Sequence, residues 1–160
     1  MRRSDREITE PEKQLEILRR CNVLHLGLCD GGRPYVVPLS FGIRPGAGGT
    51  ALYFHCASSG RKLDIIRINP QVCFAADRLL KIAEAEKACS WTAEYESAMG
   101  EGRAVIVVDP AEKSEGLLRV MRHYGYEGAP EFDPAVFAHT AVVRIDVESL
   151  TAKSNSGSKP

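Results

Sequence analysis

The sequence predicts a mainly β protein: six or seven antiparallel strands closed into a small barrel, with a few short helices. Three observations carry that expectation. Stretches with the two-residue period of strands recur along most of the chain, and several are joined by tight turns. Only one connection, from the third strand through residues 59–69 to the fourth, has the character of a crossover. Pro38 within one strand and Gly100-Glu101-Gly102 within another supply the corners that a closing sheet demands.

The elements follow in order. Thr9-Glu10-Pro11-Glu12 opens a helix, with Thr9 as its cap, and Leu15, Ile17 and Leu18 form its apolar stripe up to about Cys21. The first strand, Val23 to Cys29, alternates Leu24, Leu26 and Leu28 with other residues. Asp30-Gly31-Gly32 provides the positive-φ residues of a hairpin. Pro34 to Arg44 is a second strand interrupted at Pro38, which lacks an N–H for the ladder and so marks a bulge or an edge. Pro45 to Thr50 is a flexible turn, and Ala51 to Cys56 is the third strand.

A short helix then runs to Asn69, where Pro70 stops it. Gln71 to Asp77 is the fourth strand, Arg78 to Lys87 has helical composition, and Cys89 to Met99 is a strand continuing through the glycine bend to Val108. Asp109-Pro110 caps a helix reaching Tyr124, with Leu117, Leu118 and Met121 on one face. Asp133-Pro134 starts a short helix ending near Ala138; Ala141 to Val147 is a strand and Ser149 to Ala152 one more. Residues 1–153 read as a single domain, and 154–160 as a disordered polar tail.

Composition narrows the class. Hydrophobic residues make up 44% and charged residues 26% of 160, as in a soluble globular chain. The 21 basic and 21 acidic residues cancel, so neither nucleic acid nor an anionic membrane is the expected partner. No apolar run approaches the roughly 20 residues that span a bilayer, and no apolar region follows Met1-Arg2-Arg3 to make a secretory signal. The five cysteines are odd in number and widely spaced. That pattern fits free thiols in a reducing cytoplasm, with Cys29, Cys56 and Cys73 as small hydrophobes in strands. No metal motif, Ser-His-Asp order or glycine-rich nucleotide fingerprint is present.

The stretch from Tyr53 to Phe74 concentrates the chemistry. Ser58, Ser59 and Gly60 precede the helix, so its first N–H groups point outward, and Arg61 and Lys62 add two cations. Such a start can hold a phosphate. The residues alone allow a solvated helix start with surface charges equally well.

Taken together, the DGG hairpin, Val37-Pro38-Leu39-Ser40-Phe41, Tyr53-Phe54-His55-Cys56-Ala57, Gly60-Arg61-Lys62, Asn69-Pro70 and Val72 resemble the FMN-binding split barrels related to pyridoxamine 5′-phosphate oxidase. Within that family the chain looks most like the nitroimidazole-resistance proteins, from about Asp5 to Lys153, with Tyr95, Ser97, Gly100 and Gly102 as a second, looser match. The resemblance implies an FMN-binding homodimer with two sites at the subunit interface. Arg61 and Lys62 would neutralise the phosphate, which carries about −1.5 to −2 charges, and Ser59 would help bind the cofactor. Val37, Pro38, Leu39 and Ser40 would lie along the flavin ring edge, and His55 and Cys56 would contact the cofactor. Trp91, Tyr95 and Ser97 would reach the site from the partner chain. Ser40 stands where nitroimidazole-resistance proteins usually carry asparagine, and the tail lacks the arginine and tryptophan that the oxidases use for pyridoxine substrates.

Individual residues carry competing roles. His55 is the candidate catalytic group, as a contact to cofactor or acceptor; the bland alternative is a strand-end histidine bonded to backbone. His25 suits an exposed or partner-facing place, and His123 a helix end. Trp91 and Tyr95 suit either stacking on a ring or anchoring an interface. The resulting expectation is an FMN-dependent oxidoreductase passing electrons from a nicotinamide or flavoprotein donor to a small, nitroaromatic-like acceptor. Two rivals are a flavin- or ligand-binding module without turnover and a structural dimer that has lost its cofactor.

Overall fold

The computed structural model describes residues 4–46 and 49–155. In chain order its elements are β1 (Glu7–Ile8), α1 (Pro11–Arg20), β2 (Leu24–Asp30), β3 (Arg33–Leu39), β4 (Gly42–Arg44), β5 (Ala51–Ala57), α2 (Arg61–Ile68), β6 (Gln71–Ala83), β7 (Thr92–Ile106), α3 (Pro110–His123), α4 (Pro134–His139) and β8 (Thr140–Asn155). Among the described residues the strands make one antiparallel eight-stranded sheet, ordered β3-β2-β6-β7-β8-β5-β4, with β1 added beside β8. The two ends of that order, β3 and β4, are consecutive in the chain and joined by Ser40 and Phe41 alone. The sheet therefore curls back on itself, as the barrel expectation required.

Alternation along each strand sorts the side chains. Leu24, Leu26, Leu28, Leu52, Phe54, Phe74, Ala98, Val143 and Ile145 point into the barrel, where α1 and α2 add Ile17, Leu18, Leu63 and Ile66. A second, smaller core lies on the other face of β5 and β8, where Tyr53, Val142 and Ala51 meet Val120 of α3. Gly42 and Gly116 let α3 come that close. A Cβ on Gly42 would stand 2.3 Å from the Arg119 carbonyl carbon, and one on Gly116 2.7 Å from the Tyr53 ring.

Several expectations need correction. Glu10, not Thr9, precedes the first turn of α1, and no side chain caps it; Pro11 begins the helix without needing an N–H partner. Pro38 does not interrupt its strand: it stays within β3, opposite His25, and the break falls at Ser40-Phe41. Because β3 ends the sheet, a residue without an N–H is tolerated there. Arg78 to Ala83 is strand, not helix. Here β6 continues as one arm of a hairpin with the start of β7, across an irregularity between Leu79 and Lys81. Cross-strand pairing of Lys81 with Glu94, and Arg78 Nε 3.6 Å from Glu96, outweigh helical propensity.

The last two expected strands are one. β8 runs unbroken from Thr140 to Asn155, and its register against β7 steps over Glu148 at Glu101/Gly102, the bend that the glycines signalled. Ser154 and Asn155 thus pair with Glu96 and Tyr95 instead of opening a tail; residues 156–160 lie outside those described. In α3 the buried residues are Gly116 and Val120, with Leu117, Leu118 and Met121 only half-buried, because the glycine allows the closest approach. Cys29 and Cys73 are exposed on the outer sheet face and do not act as buried hydrophobes.

Candidate functional site

Among the described residues, β3 and the second half of β5 each keep an unpaired edge. β3 bonds only to β2, and β4 pairs with β5 only through Ala51–Tyr53, so Phe54 to Ala57 keep one open edge. Between these edges lies a cleft of about 280 Å³, lined by Tyr35 of β3, Cys56 and Ala57 of β5, and residues 59–63 at the start of α2.

The local sequence sets up that end of the cleft. Gly60 has φ 139°, open to glycine and strained for any other residue, and it turns the chain from β5 into α2. The N–H groups of Leu63 and Asp64 return to the Gly60 carbonyl at 2.9 and 3.2 Å. No side chain caps α2, so the Arg61 and Lys62 N–H groups have no acceptor among the described residues. The Ser58 N–H is already committed, donating to the His139 carbonyl at 3.1 Å.

The two cations differ. Arg61 donates from Nε and Nη2 to Asp30 Oδ2 at 3.2 and 3.0 Å, and its guanidinium lies 4.4 Å from the Tyr35 ring centre. Both members of the ion pair are about half exposed (55% and 44%), so the pair is worth at most about 1 kcal/mol and yields readily to a doubly charged anion. Lys62 is half-buried with Nζ 5.4 Å from the Phe54 ring centre, and no carboxylate pairs with it among the described residues. Burial pushes the Cys56 thiol up, and the Lys62 ammonium offsets this only in part, so Cys56 stays a neutral cleft wall.

Of the other expected site residues, Val37 and Leu39 face inward and pack on the barrel core, while Pro38 and Ser40 are exposed at the β3 edge. Trp91 is 52% exposed just after the 3₁₀ turn of residues 88–90, with its indole N–H donating to the Ala85 carbonyl at 2.7 Å. Tyr95 and Ser97 share a face of β7 opposite to buried Ala98. None of these three lines the cleft within one protomer.

His55 parts from Cys56. Neighbouring strand residues point to opposite faces, so Cys56 belongs to the cleft and His55 to a separate cavity of about 370 Å³ between β5, α3 and α4. Sequence reasoning placed both on the cofactor without asking which face each takes. It also missed Asp30, read only as a turn residue, and Tyr35 and Phe54, the rings beneath the two cations. The β2–β3 hairpin brings Asp30 and Tyr35 to Arg61, and β5 brings Phe54 to Lys62.

The fold and its cation-ended cleft define an antiparallel split barrel. Comparison with known proteins places it further. The family model described as pyridoxamine 5′-phosphate oxidase matches residues 10–154, and the chain belongs to that family of flavin-binding proteins. Among solved structures it is similar to a candidate 5-nitroimidazole antibiotic resistance protein from Bacteroides thetaiotaomicron (29% identity, TM-score 0.78, covering 92% of this chain and 85% of that one). It is similar also to the flavocytochrome Anf3 from Azotobacter vinelandii (25% identity, TM-score 0.78, 94% and 70% covered). An FAD and heme binding protein from Mycobacterium smegmatis shares the fold at 18% identity (TM-score 0.77, 97% and 75% covered). Comparison with curated protein sequences gives no match.

Proposed function

We propose that the protein is an FMN-dependent oxidoreductase that works as a homodimer and reduces a small, nitroaromatic-like acceptor. One observation carries this reading: two cations, one of them without a carboxylate partner among the described residues, stand at an uncapped helix start at the end of a cleft between β3 and β5. That arrangement fits a phosphate monoester followed by a flat ring. The Arg61 and Lys62 side chains, with their own N–H groups and Ser59, hold the phosphate, and Arg61 exchanges Asp30 for it. Tyr35 and Cys56 border the ribityl and ring portions, and the free β3 edge from Val37 to Ser40 offers backbone groups to the ring. His55, expected to contact cofactor or acceptor, lies on the opposite face of β5 from Cys56 and borders the separate cavity, so no step at the flavin is assigned to it. When bound, FMN supplies the two-electron chemistry that no side chain here provides. A nicotinamide or a flavoprotein partner supplies the electrons.

The outer sheet face supports the dimer. Pro38, His25, Ala75, Met99 and Thr151 lie in register across five strands, with Met99 60% and, in the next row, Val36 60% exposed. A face with Met99, Val36 and Pro38 exposed between polar residues suits a second copy of the same face. Tyr95 and Ser97 share that face and so would approach the partner. Five free thiols support a cytoplasmic location; among the described residues no helix is long and apolar enough to cross a membrane.

The test is the visible spectrum of the purified protein, with the chromophore released on heating identified. Flavin bands with FMN in the supernatant, bleached by NADH or a reduced flavoprotein and restored by a nitroaromatic, are expected. Arg61→Ala with Lys62→Ala should release the flavin from a folded protein, whereas His55→Ala, outside the cleft, should keep it. A colourless protein that fails to take up added FMN sinks the proposal.

A further inference from the structure

The cavity bordered by His55 is chemically unlike the cation cleft. Its walls are apolar side chains of α3 and α4, together with Phe132 and Phe137, whose rings lie 5.6 Å apart and tilted. At about 370 Å³ it falls in the size range of small-molecule sites. Two of the four polar residues on its lining are already engaged. Thr140 Oγ1 donates to the Val136 carbonyl at 2.8 Å, and the Asp133 carboxylate accepts from the Ala135 and Val136 N–H groups that it caps. Lys113 donates to the Phe137 carbonyl and rests on the ring of Phe137.

Two lining groups have no partner among the described residues: the His55 imidazole and the Glu131 carboxylate. Imidazole can accept or donate a hydrogen bond, whereas a carboxylate only accepts. With Asp133 the lining carries two negative charges, against the one positive charge of Lys113 behind the Phe137 ring, so the surroundings are net negative. An anionic ligand is therefore disfavoured, and a ligand with an aromatic body and a basic nitrogen satisfies both the walls and Glu131.

We propose that this cavity is a second ligand site, taking a small aromatic amine whose ring packs between α3 and α4 and whose ammonium meets Glu131, with His55 as a further hydrogen-bond partner. The site is separate from the cleft at Arg61 and Lys62, and it stands whether or not flavin binds there.

Isothermal titration of the purified full chain with tryptamine, indole and indole-3-acetate tests it, since the three probes share a ring and differ in charge. Tryptamine is expected to bind once per chain, at least tenfold tighter than indole-3-acetate, with indole between. Glu131→Gln, at an exposed position, should cut that discrimination at least threefold. Val136→Trp, which fills the mouth of the cavity, should weaken tryptamine at least tenfold without changing the thermal unfolding curve. The Arg61→Ala/Lys62→Ala protein should bind tryptamine as the wild type does. Absent tryptamine binding, equal affinities for the three probes, undiminished discrimination in Glu131→Gln, or lost binding in the Arg61/Lys62 variant each overturns the proposal.

Discussion

At the scale of single residues, burial decides more than identity. Cys21 and Cys56 are both thiols at element ends, yet Cys21 is wholly buried and donates its Sγ–H to the Ile17 carbonyl at 3.3 Å. Burial pushes its pKa up to about 11 from 9.0. Below pH 9 the thiol is neutral in the folded and the unfolded chain alike, and its contribution to stability is complete. As pH rises toward 11 only the unfolded chain ionises, so that contribution is lost at about 1.4 kcal/mol per pH unit. Cys21→Ala should therefore flatten the alkaline limb of a stability–pH curve from chemical denaturation, on top of a loss at neutral pH. An unchanged alkaline limb would show that other groups set it. Asp30 makes the complementary point: a turn residue by sequence, it becomes the counter-ion of Arg61 because the hairpin tip folds back against α2.

At the scale of elements, the approach of α3 to β4 and β5 is the contact on which the His55 side of the molecule depends. It rests on bare backbone at Gly42, where an added Cβ meets Arg119 carbonyl atoms and the Val120 nitrogen at 2.3–2.4 Å. Backbone cannot rotate aside as a side chain does. Gly42→Ala should force α3 outward and destabilise the fold by about 1–3 kcal/mol in denaturant titrations, a typical overpacking cost. A loss below about 0.5 kcal/mol would mean that α3 shifts freely. The β6–β7 hairpin teaches the converse lesson. Residues 78–87 have helical composition, but pairing of Leu79 with Tyr95 and Ile82 with Ala93 makes the first six of them a strand. Propensity is a local preference, and a long partner strand overrides it.

For the whole molecule, the outer sheet face is where a second copy would sit. Met99→Glu puts a charge on the exposed apolar side chain of that face without touching the barrel interior. The expected outcome is a monomer in sedimentation equilibrium, with flavin affinity reduced at least tenfold because residues from the partner no longer reach the cofactor. A dimer that survives this substitution would place the interface elsewhere. The Arg61/Lys62 double variant should do the opposite, keeping the dimer and losing the flavin.

Much was legible in the residues themselves. The strand alternation, the DGG hairpin, the Asp109-Pro110 and Asp133-Pro134 helix starts and the adjacent cations at 61–62 are local signals, each produced by nearest neighbours along the chain. They determined the mainly β barrel and the location of one charged helix start. What they could not determine is which strands meet. The free edges of β3 and β5, the Arg61–Asp30 pair, and the separation of His55 from Cys56 into different cavities arise from pairings between residues far apart in sequence. A one-residue step along a strand reverses the face a side chain takes, so only the register of the folded sheet decides which cavity it serves.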